Sequence, residues 1–352
     1  MIIPKHLAEL LGIEYPIIQA AMAGGYVSAE LTAAVSNSGG LGSIAAGYFK
    51  PEQLKEQIQA VKSFTSQPFL VNMFVPQRTY VSREQMDEFV IKASDINPEI
   101  KINEAANLYN ENLWEISSLE SMVDVVIAEE VPIVSFTFGV PSDEIIQRLR
   151  EHNILIIGNA THLLEAFVWQ EKGADALILQ GSEAGGHRAT FIGDPMQVAQ
   201  SAFTLLQQGV RELNMPIISA GGYFDSKSMG AAFCLGASAV LVGTAFLTTY
   251  EANTTEDHRK ALLNSNELDS KFTQDLSGAW ARAIRSEGLK ILEQSDLPRL
   301  PFPAHGFFVK SLVGQQEPDK YRALYAGVNA QFCEEISAST LMSRWITELQ
   351  CL

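Results

Sequence analysis

Cysteine is scarce in this chain: three residues in 352, Cys234, Cys333 and Cys351. They are too few and too scattered for a disulfide framework or a cysteine-based zinc site, so a reducing, cytoplasmic setting is expected and no metal centre is. Positive charge is short as well, with 25 Lys and Arg against 41 Asp and Glu and a net charge of −16. Phosphate backbones and anionic bilayers attract basic surfaces, so neither nucleic acid nor membrane is an expected partner. Long apolar runs are missing too. The longest, Ala231 to Leu247, is broken by Gly236, Ser238, Gly243 and Thr244 and reads as helix, turn and strand. Met1-Ile2-Ile3-Pro4-Lys5-His6 has no charged stretch leading into an apolar one, so no signal peptide is expected. No repeat or low-complexity tract stands out.

What is present is a core: 47% of residues are hydrophobic. Short β-rich apolar runs alternate with helical patterns. Strands are expected at Pro16–Ala20, Leu41–Ala45, Phe69–Phe74, Ile133–Phe138, Ile154–Asn159, Ala176–Gln180, Pro216–Ala220 and Ala239–Val242. Helix signals sit between them: Ser28 as an N-cap, Pro51 at a first turn, and helices over Ser142–Glu151, Thr161–Lys172 and Asp225–Leu235. Eight strand–helix units favour a closed parallel (β/α)8 barrel, a TIM barrel, over an open doubly wound sheet. The expected organisation is a barrel over residues 1–250, a mainly helical insertion at about 82–120, and a helical extension over 251–352.

In a parallel barrel the strand C-termini share one face, and active sites form there. The segment Gln180-Gly181-Ser182-Glu183-Ala184-Gly185-Gly186-His187-Arg188 leaves the sixth strand. Gly185 and Gly186 let the backbone approach a ligand, and His187 can move a proton or carry charge near neutral pH. Gly221 and Gly222 follow the seventh strand, and Gly243 and Thr244 the eighth. Those loops, with a helix starting near Asp225, are the usual phosphate position of a barrel, although tight turns alone also use glycine. Asn72 and Gln180 are strand-end amides that suit either a polar ring edge or ties between loops. Ala21 and Met22 suit either a planar ring or core packing. Glu183 is expected to be structural. His152 and His162 are expected at the surface, and Cys234 inside the core.

These blocks, together with Tyr15 to Gly25, Val35 to Gly42, Val71 to Pro76 and Phe136 to Gly139, resemble the nitronate monooxygenase family over roughly residues 8 to 250. The resemblance implies a non-covalent FMN. It assigns Asn72, Gln180, Gly185, Gly221, Gly222, Gly243 and Thr244 to FMN binding, sets Met22 against the ring with Ala21 and Gly186 beside it, and makes His187 the active-site histidine. It implies a small nitronate and O2 as substrates, propionate 3-nitronate being typical, with a second copy of the chain as a partner to test for. Tyr325 and Val328 depart from residues common in the family, in a segment expected to wall the substrate pocket. The same motifs resemble FMN-dependent enoyl-acyl-carrier-protein reductases and an NADH:quinone reductase. A non-catalytic flavin- or phosphate-binding barrel is the reading from a different class. No cysteine lies on a catalytic-face loop, which disfavours a thiol-dependent barrel dehydrogenase.

Overall fold

The computed structural model describes residues 3–76, 80–97, 117–312 and 320–352. Eight parallel strands form the centre: β1 (Ile17–Gln19), β2 (Gly42–Ala45), β3 (Phe69–Phe74), β4 (Ile133–Thr137), β5 (Leu155–Ala160), β6 (Ala176–Gln180), β8 (Ile217–Ala220) and β9 (Ala239–Val242). The two-residue β7 (Gly186–His187) lies outside this ring. The strand order is β1-β9-β8-β6-β5-β4-β3-β2. A bridge between Ile18 and Leu41 joins the two ends. Gln19 N donates to Leu41 O at 2.9 Å and Leu41 N to Ile17 O at 3.0 Å. The Gln19 side chain adds a further tie, accepting from Ser43 N at 2.8 Å. The expected (β/α)8 barrel is therefore observed, and all eight expected strands are present.

Strand alternation explains the core. Ile18, Leu70, Ile133, Ile157, Ile178 and Ile218 belong to one buried cluster inside the barrel. Leu7 and Leu11, from the first helix His6–Leu11, join that cluster. The other face of the strands, with Val71, Val134, Ile156, Leu177 and Ile217, packs under the surrounding helices. Local capping matches the sequence signals: Ser28 accepts from Leu31 N, Ser142 from Ile145 N, and Pro51 opens its helix. Among the described residues no helix is long and apolar enough to cross a membrane.

Beyond the barrel, the helix Arg83–Ile96 lies within the expected insertion, whose residues 98–116 fall outside those described. Its Met86, Phe89 and Val90 share a second core with Leu289, Leu300, Phe308 and other residues of the extension. The extension is not wholly helical, a correction to the sequence reading. It contains β10 (Ser270–Thr273) and β11 (Ala281–Ile284), an antiparallel pair, and β11 also pairs with β7. Each strand has only four residues, with Lys271 and Arg282 inside, so neither carries a recognisable apolar period. The last helix, Ala338–Cys351, returns to the barrel. Trp345 is buried there edge-on to Phe246, with ring centroids 5.5 Å apart.

Candidate active site

A cavity opens over the C-terminal ends of the barrel strands, with an empty volume of about 1400 Å3 including its mouth. Ala21, Met22, Asn72, Gln180, Gly185, Gly186, His187, Gly221, Gly222, Gly243 and Thr244 all line it. All eleven residues assigned from sequence to catalysis or cofactor binding are thus gathered in one place. Their side chains are not equally free, however.

His187 is held by its neighbours on all levels. Its backbone pairs across β7 and β11 with Ala281, and Arg188 N donates to Trp280 O at 2.8 Å. Gln180 Nε2 donates to His187 O at 3.0 Å, while Gln180 Oε1 accepts from Ala189 N at 3.0 Å. Gln180 therefore ties the histidine loop and keeps one N–H and one lone pair for a ligand. The imidazole sits among Phe138, Phe302 and Tyr325, with centroids 5.7, 4.9 and 5.1 Å away. Its Nε2 lies 2.8 Å from Ser277 Oγ and 3.4 Å from the Tyr325 hydroxyl. Burial, with the Lys310 ammonium adding to it, pushes the His187 pKa down to about 4. The ring is a neutral imidazole at pH 7. Burial, reinforced by Tyr48 and Tyr26, holds the Tyr325 phenol well above 10, so it keeps its proton.

Asn72 spends both amide hydrogens on neighbours, donating to Ser135 Oγ at 2.8 Å and to Thr137 Oγ1 at 3.1 Å. Its role as a tie between β3 and β4 is visible, and its carbonyl, 3.5 Å from Thr137 Oγ1, keeps a lone pair for a ligand. Asn159, which no motif marked, is the opposite case: its Oδ1 is buried beside the cavity and has no partner. Such an atom calls for a hydrogen-bond donor from something bound.

The glycine loops fit a close ligand. Gly221 has φ +117°, a conformation that side-chain-bearing residues avoid. The amides of Gly221, Gly222, Gly243 and Thr244 make no backbone hydrogen bond among the described residues. Thr244 Oγ1 accepts from Gly327 N at 2.9 Å, which leaves its own hydrogen to donate. The helix after β8 contributes less than expected. Asp225 caps it and accepts from Ser228 N at 2.8 Å, so that end is already served by a carboxylate. A phosphate would lie against the two glycine turns instead.

A strap from the extension crosses these loops. Val328 N donates to Glu183 O at 3.1 Å, Asn329 Nδ2 to Gly222 O at 2.7 Å and Cys333 Sγ to Thr244 O at 3.3 Å. A Cβ on Gly185 would stand 2.6 Å from Ala326 C and Gly327 N, so glycine is what lets the strap lie flat on the histidine loop. The Glu183 side chain accepts from Ala202 N at 2.9 Å, the structural role expected of it. Two expectations need correction. His162 is buried, its Nε2 2.9 Å from Ile192 O, because it starts a helix covered by the loop after β7. Cys234 is exposed, because it lies in the last turn of its helix on the solvent side. His152 is at the surface as expected.

A family model described as nitronate monooxygenase matches residues 5–348. The probable nitronate monooxygenase of Staphylococcus aureus (strain JH9) is 36% identical over 354 residues, covering 98% of this chain and 97% of that one. Its counterpart in strain MSSA476 is 40% identical over 300 residues, covering 84% and 83%. Among solved structures, nitroalkane oxidase from Streptomyces ansochromogenes superimposes with a TM-score of 0.83 at 29% identity, covering 98% and 97% of the two chains. FabK from Thermotoga maritima gives 0.74 at 27% identity, covering 99% and 97%.

Proposed function

This chain belongs to the nitronate monooxygenase family and is an oxidoreductase, and from that premise we propose that it oxidises small alkyl nitronates with O2 on a bound FMN, releasing nitrite and a carbonyl compound. The observation that carries this reading is His187, walled by aromatic rings, in a cavity whose far loops offer glycine amides without backbone partners. The unpartnered Asn159 Oδ1 and the side-chain-free Gly221 and Gly222 fit a flat, polar-edged ligand with a phosphate tail. Gln180, the Asn72 carbonyl, Ala21, Met22, Gly185 and Gly186 would hold the ring, and Gly221, Gly222, Gly243 and Thr244 the phosphate.

The flavin would supply electron acceptance and the reaction with O2. This chain's own residues do the rest. Phe138, Phe302 and Tyr325 exclude water from the substrate end. As a neutral base, His187 accepts a proton from a nitroalkane, and with a proton added it hydrogen-bonds a nitronate oxygen. The likeness to FabK supports a second reading, an NADH-dependent reductase on the same barrel.

An oxygen-electrode assay of the purified yellow protein with propionate 3-nitronate and no NADH separates the two. Rapid oxygen uptake with nitrite release is expected. No uptake, with flavin bleaching once NADH is added anaerobically, would transfer the assignment to the reductase.

A further inference from the structure

We propose that Ser277 is a positioning residue that sets the tautomer of His187, keeping the proton on Nε2 and turning the bare Nδ1 to the cavity. A serine hydroxyl has one hydrogen to give and two lone pairs to offer. Ser277 Oγ lies 3.2 Å from Ala279 O, which can only accept, so the hydroxyl hydrogen is directed there. Nε2 of His187, 2.8 Å from the same oxygen, is then satisfied by donating. The Tyr325 hydroxyl oxygen, 3.4 Å from Nε2, also offers lone pairs on that side.

The opposite tautomer is served badly. Among the described residues the hydrogen-bond contacts of the ring are made by Nε2, so a hydrogen on Nδ1 would have no such partner, and a hydroxyl turned to Nε2 would leave Ala279 O without it. Ser277 is itself buried, and the turn that carries it runs straight into β11, the strand paired with His187. Backbone and hydroxyl therefore come from one rigid piece of the extension, and the aromatic contacts of Phe138, Phe302 and Tyr325 complete the frame.

The consequence for chemistry rests on the functional reading above. With a neutral nitroalkane, the Cα–H bond breaks, its electron pair becomes the C=N bond of the nitronate, and the proton bonds to Nδ1. The imidazolium so formed shares its charge with Ser277 through Nε2–H. A preformed nitronate has no such proton to lose.

Nitrogen-15 NMR of histidine-labelled, flavin-loaded protein tests the tautomer directly. The unmodified protein is expected to show Nε2–H for His187. Ser277→Ala should shift the tautomer ratio toward Nδ1–H by about tenfold, the scale of one hydrogen bond. Ser277→Thr, which keeps the hydroxyl, should leave the ratio unchanged. Nδ1–H in the unmodified protein, or a Ser277→Ala spectrum identical to it, would overturn the proposal. The spectra decide the tautomer even where no nitronate is oxidised, an outcome that would remove the functional reading alone.

Discussion

At the scale of single residues, His187 keeps its lone pair across the neutral range because its surroundings penalise the charged ring. With a pKa of about 4, the rate with a neutral nitroalkane is expected to be flat from pH 6 to 8 and to fall only toward pH 4. A break near the ordinary histidine value would contradict that environment. His187→Asn should retain the flavin absorbance and lose about a hundredfold or more in turnover of a neutral nitroalkane, the usual worth of a positioned base. Gly185→Ala should act differently, since its methyl would press into the backbone of Ala326 and Gly327. Overpacking of that kind costs about 1–3 kcal/mol, and the purified variant should come off the column with less flavin. His187 and Gly185 were legible in the sequence because glycines beside a histidine at a strand exit form a local pattern. Asn159 and Ser277 were not. Asn159 is a lone amide at the end of β5, and Ser277 sits in an irregular turn whose relation to His187 exists only after folding.

Secondary-structure elements explain why the histidine loop holds its shape. The loop after β7 is anchored by Glu165, which is fully buried on the helix Leu163–Glu171. Its carboxylate accepts from Thr161 N at 2.7 Å, Thr161 Oγ1 at 2.9 Å and Ile192 N at 2.9 Å, and also from Phe191 N. Glu165→Ala would strand several buried donors, each costing about 1–3 kcal/mol. The expected result is a loss of roughly 3 kcal/mol or more in urea unfolding, with weakened turnover from a loosened loop. A variant as stable as the parent would show that the loop is fixed by other contacts. The barrel strands were readable because runs such as Ala176–Gln180 are apolar, bounded and of ordinary strand length. β7 was hidden because its two residues become a strand only by pairing with β11, far along the chain, and β10 and β11 because four residues with a charged one inside carry no apolar period.

The whole molecule has a barrel core and a second core shared by the insertion helix and the extension. Two fully buried histidines mark how the extension is held. His258 Nε2 meets Tyr325 O at 3.1 Å. His305 accepts from Leu300 N at 3.2 Å and meets Asp275 O at 3.1 Å. Burial lowers both from 6.5 to about 4. The unfolded chain therefore binds protons that the fold refuses. Their stabilisation is complete above pH 6.5 and drains away as pH falls toward 4, by about 1.4 kcal/mol per pH unit for each. Urea midpoints should fall accordingly between pH 7 and pH 5, and equal midpoints would rule out neutral histidines in the extension. Architecture at this scale was legible as a count of eight strand–helix units. The mixed character of the extension was not, since its two halves are divided between different cores.

The strap has a further consequence, which lies in the order of synthesis. All eight barrel strands are complete by Val242, yet the segment from Tyr325 to Cys333 that fastens their loops is made much later. A growing chain thus passes through an interval in which the barrel strands have been made and neither the strap nor β11, the partner of the histidine loop, has.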